Sequence, residues 1–230
     1  MRRAVVAVPL VALAACGGGG GGSDPGRPED RRPHDLVSAA ARGDVGSVRR
    51  LLADGAPVDT RDRDRRTAVT AAALGDHVAV ARTLIDAGAD VDLQDAERNN
   101  PLLVCGVTGN VAMLREVLRA HPNVRLTNRF GGTALIPASE RGHVEMVRAL
   151  LETDIDVDHV NRLGWTALLE AVILGDGGPP HRQIVQLLVD AGADPGIADG
   201  DGVTALEHAR ERGYDEIAQT LEAAGGATVA

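Results

Sequence analysis

An all-α solenoid of about six helix-turn-helix units is the fold the sequence predicts. Three observations predict it. Thr67, Asn100, Thr133 and Thr166 stand 33 residues apart, each opening a short phrase of small and apolar residues, and Thr204 opens a fifth phrase 38 residues later. Gly88-Ala89-Asp90 and Gly192-Ala193-Asp194, with Gly55-Ala56 earlier, stop the second helices. Asp62, Asp95, Asn128, Asn161 and Asp199 each stand five residues before a phrase. A period of 20–50 residues is the sequence mark of stacked repeats, and stacked repeats present an extended surface rather than one deep cleft.

Taken in chain order, the units run near 34–62, 63–95, 96–128, 129–161, 162–199 and 200–225, followed by a short tail, 226–230. The phrase Thr predicts a helix start, because its hydroxyl can accept a backbone N–H. Pro101 suits the first turn of its helix. In the second unit Val78, Ala81 and Ile85 form an apolar stripe, and in the fourth Val144, Val147 and Leu151 do the same. Ala39-Ala40, Ala72-Ala73 and Ala138-Ser139 let first helices pack closely. The third unit is expected to be weakest, since Gly106 lies inside its first helix at a cost of up to ~1 kcal/mol relative to Ala, and His121-Pro122-Asn123 replaces the Gly-Ala-Asp stop. The fifth unit carries five extra residues, Asp176 to Pro180, expected to lengthen the turn between its helices as a tolerated loop. In the last unit His208, Arg210, Glu211 and Arg212 put polar groups on a terminal, capping face.

Phrases, spacing and terminators together resemble the ankyrin repeat, whose pattern is Thr-Pro-Leu-His-x-Ala. The resemblance covers nearly everything after residue 33. It implies an ankyrin-repeat solenoid with hairpin-like connecting loops and a role in protein–protein interaction. The family's phrase His is missing; Thr70, Leu103, Ile136, Leu169 and Glu207 stand there.

The front of the chain differs in kind. Arg2-Arg3 precedes an apolar run from Ala4 to Ala15. Twelve residues are too short for a bilayer core, which needs ~20, and fit a signal-peptide core, residues 1–15. Leu13-Ala14-Ala15-Cys16 resembles the bacterial lipobox. That resemblance implies cleavage after Ala15, a diacylglyceryl group on Cys16 and a lipid-anchored, exported protein. A plain secretory signal is the alternative. Residues 16–33, with an unbroken Gly17–Gly22 run, form a flexible tether reaching only ~25 Å.

The formal net charge is −9, and losing Arg2 and Arg3 would leave 22 basic against 33 acidic residues. Nucleic-acid binding usually needs a basic face, so no nucleic-acid partner is expected. Cys105 stands where other units carry Ala and reads as a small buried hydrophobe. His77, His143 and His181 recur at second-helix starts, His121 and His159 lie in connections, and His208 sits in a first helix. None has zinc-ligand spacing, and no Gly-x-Ser-x-Gly elbow or phosphate loop appears. No metal, cofactor, small-molecule substrate or catalytic residue is therefore expected. An unrecognised hydrolase is the contrasting alternative.

In ankyrin proteins partners generally meet the hairpin tips and the first helices. Carried over, the candidate partner-binding residues are Arg63, Arg66, Arg129, Phe130, Arg162, Leu163, Trp165, Ile173 and Leu174. The chain's one Trp and one Phe fall on this row, and Trp and Arg are favoured hot-spot types. Arg61, Arg65 and Arg98 lie close by. The expected partner is another protein with an acidic rim around an apolar centre. The runner-up reading is an immunity or inhibitor role toward an exported protein, or support of an exported enzyme. The alternative is that Trp165 and Phe130 pack between hairpins while the Arg are solvated.

Overall fold

The computed structural model describes residues 36–227. The expectations for the signal segment, Cys16 and the tether lie outside the described residues. Twelve helices are described, in six antiparallel pairs. They are α1 (36–41) with α2 (Val45–Ala53), α3 (Ala68–Leu74) with α4 (Val78–Asp86), and α5 (Pro101–Thr108) with α6 (Val111–Arg119). Next come α7 (Leu135–Glu140) with α8 (Val144–Leu151), α9 (Ala167–Ile173) with α10 (Pro179–Asp190), and α11 (Ala205–Arg212) with α12 (Asp215–Ala227). First helices stack on first helices and second on second: α3 on α5, α5 on α7, α7 on α9, α9 on α11, with α2, α4, α6, α8, α10 and α12 behind. Among the described residues the only β pairing is two isolated bridges, Arg61 with Thr67 and Ala198 with Thr204.

Small side chains place the first helices close together. Ala68, Ala71, Ala72, Ala134, Ala138, Ala167, Ala171, Ala205 and Ala209 are all buried, and leucines such as Leu84, Leu114, Leu150, Leu188 and Leu221 fill the layer between rows. Each unit thus buries its apolar stripe between its own two helices and against its neighbours.

Caps start the first helices as expected, with one exception. Thr67, Asn100, Thr166 and Thr204 accept the amide three residues on. Thr133 does not, and its hydroxyl is buried without a partner. The reason is Pro137. The amide four residues after each phrase opener normally donates to the opener's carbonyl, as Ala71 does to Thr67 and Glu170 to Thr166 (both 3.0 Å). Pro137 has no N–H to give, so α7 begins later, with Ala138 reaching back 3.4 Å to Ala134.

The recurring His are spent on the stack. The ring Nε2 of His77 donates to the Ala41 carbonyl (3.1 Å), His143 to Val107 (3.2 Å) and His181 to Glu140 (3.0 Å). Each ties a second helix to the end of the preceding unit's first helix. In the third unit Asn110 bonds Asp76 instead. In the last, the Tyr214 hydroxyl donates to Gly175 (3.1 Å), with its ring against Gly177.

Two expectations change. Gly106 lies within an intact α5, and a Cβ there would stand 2.4 Å from the Ala134 carbonyl oxygen. The glycine is where α5 touches the next unit's backbone, so it serves packing instead of marking a weak turn. The five-residue insertion is only partly a loop: Gly178 caps α10, and Pro179 and Pro180 form its first turn.

Candidate functional site

Each hairpin tip is built on its Asp or Asn. Asp62 Oδ1 accepts the amides of Asp64 (2.9 Å) and Arg66 (2.8 Å), while its own N–H donates to the Arg66 carbonyl (3.0 Å). Asp95 does the same with Glu97 and Asn99, Asn128 with Phe130 and Gly132, Asn161 with Leu163 and Trp165, and Asp199 with Asp201 and Val203. A short side-chain acceptor closing its own turn is what favours Asp and Asn here. The residue three further on must take positive φ. Gly131, Gly164 and Gly202 do so freely, whereas Arg65 (φ 59°) and Arg98 (φ 61°) are held there as L-residues.

Neighbouring tips are then stitched together. Arg61 donates to the Gln94 carbonyl (3.2 Å), and Gln94 Nε2 to the Thr127 carbonyl (2.9 Å). Ala96 N–H reaches Asp64 O (2.9 Å), and Arg162 N–H reaches Phe130 O (3.0 Å). Arg162 also donates from its guanidinium to the Arg129 carbonyl (2.8 Å). Both acceptors are backbone carbonyls, so Arg61 and Arg162 are positioned without being paired to a carboxylate there. Arg129 pairs with Glu97 and lies 4.8 Å from the Phe130 ring centroid.

The nine sequence-derived residues separate accordingly. Arg63, Arg129, Arg162 and Leu163 are exposed, Leu163 at 46%. Arg66, Phe130, Trp165 and Leu174 are half-buried, the last two packed against the core. Ile173 belongs to the core at 6% exposure, because the end of α9 turns it inward, and it leaves the surface set. Val160, 46% exposed on the same hairpin as Leu163, joins it. Sequence reasoning missed Val160 because it lies before the hairpin Asn161, outside the positions carried over.

Beneath this hairpin is a second missed residue. Glu170, on α9, is 5% exposed and accepts a hydrogen bond from Asn161 Nδ2 (2.9 Å). Burial, with the Glu140 carboxylate nearby, pushes its pKa up to about 7. Its signal in the sequence was positional: the same place holds Ala71, Val104 and Pro137 in the three preceding units.

The remaining chemistry-bearing groups serve the fold. Cys105 is buried, and burial pushes its thiol up to about 12. His159 donates to Gly131 O (2.6 Å), and His208 Nε2 lies 2.8 Å from Asp199 Oδ2. Among the described residues no group of three or more His, Cys, Asp or Glu could hold a metal ion, and no helix is long and apolar enough to cross a membrane.

Comparison with known proteins agrees with this geometry. A family model for ankyrin repeats (3 copies) matches residues 36–125 and 105–199. A crystal structure of an ankyrin repeat domain from Acinetobacter baumannii AYE is 48% identical with a TM-score of 0.81, over 83% of this chain and 97% of that one. The ankyrin repeat protein EF0377 is 39% identical with a TM-score of 0.78, over 82% and 96%. The putative ankyrin repeat protein YahD of Escherichia coli (strain K12) is 57% identical over 56 residues, which span 24% of this chain and 28% of YahD.

Proposed function

From the premise that this chain belongs to the ankyrin-repeat family, we propose that it is a membrane-tethered binding protein of the bacterial envelope. Its stitched hairpin-tip edge captures another protein without catalysis. Ankyrin repeats generally mediate binding to other proteins, and one observation carries the choice of edge. The first four tips are tied into one continuous strip, and that strip holds Arg63, Arg129 and Arg162 in the open beside the exposed Val160 and Leu163. Apolar side chains at the centre and Arg around them are the composition that carries interface energy. A partner with acidic side chains around an apolar centre complements it, since guanidinium takes carboxylate in bidentate fashion.

The tether rests on the Leu13-Ala14-Ala15-Cys16 sequence. Export, cleavage after Ala15 and lipid on Cys16 would hold the repeats on the outer face of the cell membrane, or on the periplasmic side of an envelope membrane. Fatty-acid labelling tests this: Cys16→Ser should abolish it, and labelling that persists in the variant would refute the anchor.

For the edge, Leu163→Asp combined with Arg63→Glu is the discriminating variant. Both side chains are exposed, so the helical far-UV spectrum should not change. Capture of the partner found by crosslinking in intact cells should fall by roughly tenfold or more. Undiminished capture by the folded variant would place binding elsewhere.

A further inference from the structure

Three carboxylate side chains are buried among the described residues: Asp95, Glu116 and Glu170. Asp95 accepts backbone amides in its hairpin. Glu116 lies between Arg82 (2.6 Å) and Arg119 (2.5 Å). Glu170 has the Asn161 amide, and no cation among the described residues forms an ion pair with it. Burying an ionised carboxylate without a cation is costly, and one neutral hydrogen bond offsets little of that cost.

The position of Glu170 couples it to the proposed binding edge. Asn161 uses Oδ1 to hold the amides of Leu163 and Trp165, and Nδ2 to hold Glu170. One amide side chain therefore joins the carboxyl group to the hairpin that displays Leu163. The surrounding elements supply few charges that could relieve an ionised Glu170. From α7 comes Glu140, a like charge. From α10 come His181, beside Asp176 and bonded to the Glu140 carbonyl, and Arg182, paired with Glu216. From α11 come Glu207, bonded to Thr204, His208, paired with Asp199, and Arg210, paired with Glu222. Also on α11 are Glu211 and Arg212, both exposed. The hairpin itself brings His159, bonded to Gly131 O, the exposed Arg162, whose guanidinium donates to the Arg129 carbonyl, and Asp158, which accepts the Asp194 amide.

We propose that Glu170 is a proton-operated latch for the Asn161 hairpin. With a proton it stays buried, and the hairpin is fixed on α9. On losing the proton to solvent the carboxylate draws in water, and the Asn161 link and the segment 158–165 loosen. The consequence for partner capture, favoured on the acid side of neutrality, rests on the function proposed above. The latch itself is read without any partner.

Trp165 is the chain's single Trp, half-buried, with its amide on Asn161, so it reports on this hairpin directly. Its emission in the full-length protein is followed from about pH 5.5 to about pH 8.5. A single red-shifting transition is expected with a midpoint near the Glu170 pKa of about 7. Glu170→Gln should abolish it, and Glu140→Gln should move it to lower pH by removing the like charge. His159→Gln and His208→Gln should leave it in place. Hydrogen exchange at Leu163 and Trp165, corrected for intrinsic rates, should be about tenfold faster on the alkaline side. A flat wild-type trace, a transition that survives Glu170→Gln, or one lost in either His variant would overturn the latch. Should Glu170→Gln fail to fold, the direction of the Glu140→Gln shift decides. None of these outcomes touches capture at the tip edge, which crosslinking reads separately.

Discussion

Gly106→Ala is expected to destabilise the protein, against helix propensity. In an exposed helix interior the change would gain up to ~1 kcal/mol. At this position the added methyl would stand 2.4 Å from the Ala134 carbonyl oxygen, 3.0 Å from its Cα and 3.1 Å from its carbonyl carbon. Those are backbone atoms of the next unit, which no rotamer change can move aside. Overpacking of this kind costs about 1–3 kcal/mol, so the net loss should be about 1–2 kcal/mol. For a domain of this size that lowers the melting temperature by about 2–8 °C. Ala73 is the natural control, because it occupies the same place in the second unit and is buried. There the opposite change, Ala73→Gly, should be the destabilising one. Urea unfolding followed by far-UV circular dichroism measures both. A Gly106→Ala protein as stable as the wild type, or more so, would refute the claim that the glycine is required by the contact between the third and fourth units.

His121 is held at φ 51° where other units place Gly55, Gly88 and Gly192; His121→Gly should stabilise by about 0.5–1 kcal/mol in urea unfolding. Cys105, with its thiol pushed up to about 12, should not react with a thiol reagent at neutral pH in a Cys16→Ser protein until denaturant is added. Glu170 has a folded pKa raised from 4.5 to about 7, so its contribution is fully present below the unfolded value and is lost as pH rises through about 7. Glu170→Gln should therefore exceed wild-type stability by about 3 kcal/mol on the alkaline side, with the gap closing as pH falls toward 4.5. A pH-independent gap would exclude titration of Glu170 as its source.

The 33-residue spacing was sufficient to place the helix pairs, because each unit repeats the same local instructions: an opening cap, a small-residue first helix, an apolar second helix and a stop. The hairpin Asp and Asn were legible for the same reason, since they bond within five residues of themselves. What escaped depends on the neighbour. The ties from Arg61 to Gln94 and from Arg162 to Arg129 join consecutive units, so no pattern within a unit shows them. Burial of Ile173 and of Glu170 is likewise set by stacking of α9 between α7 and α11. Pro137 is a different case: its missing donor was legible locally, yet the matching Thr133 phrase masked the late helix start. Gly106 shows propensity overruled by close approach of backbone.

The most direct measurement places a photo-crosslinking side chain at Leu163, on the tip edge, or at Gln183, exposed on α10. Each full-length protein is then irradiated in intact cells. Leu163 should yield a crosslinked species of one defined partner mass, diminished by the Arg63→Glu change, and Gln183 should yield none. Partner crosslinks from Gln183 with a silent Leu163 would contradict binding at the hairpin-tip edge.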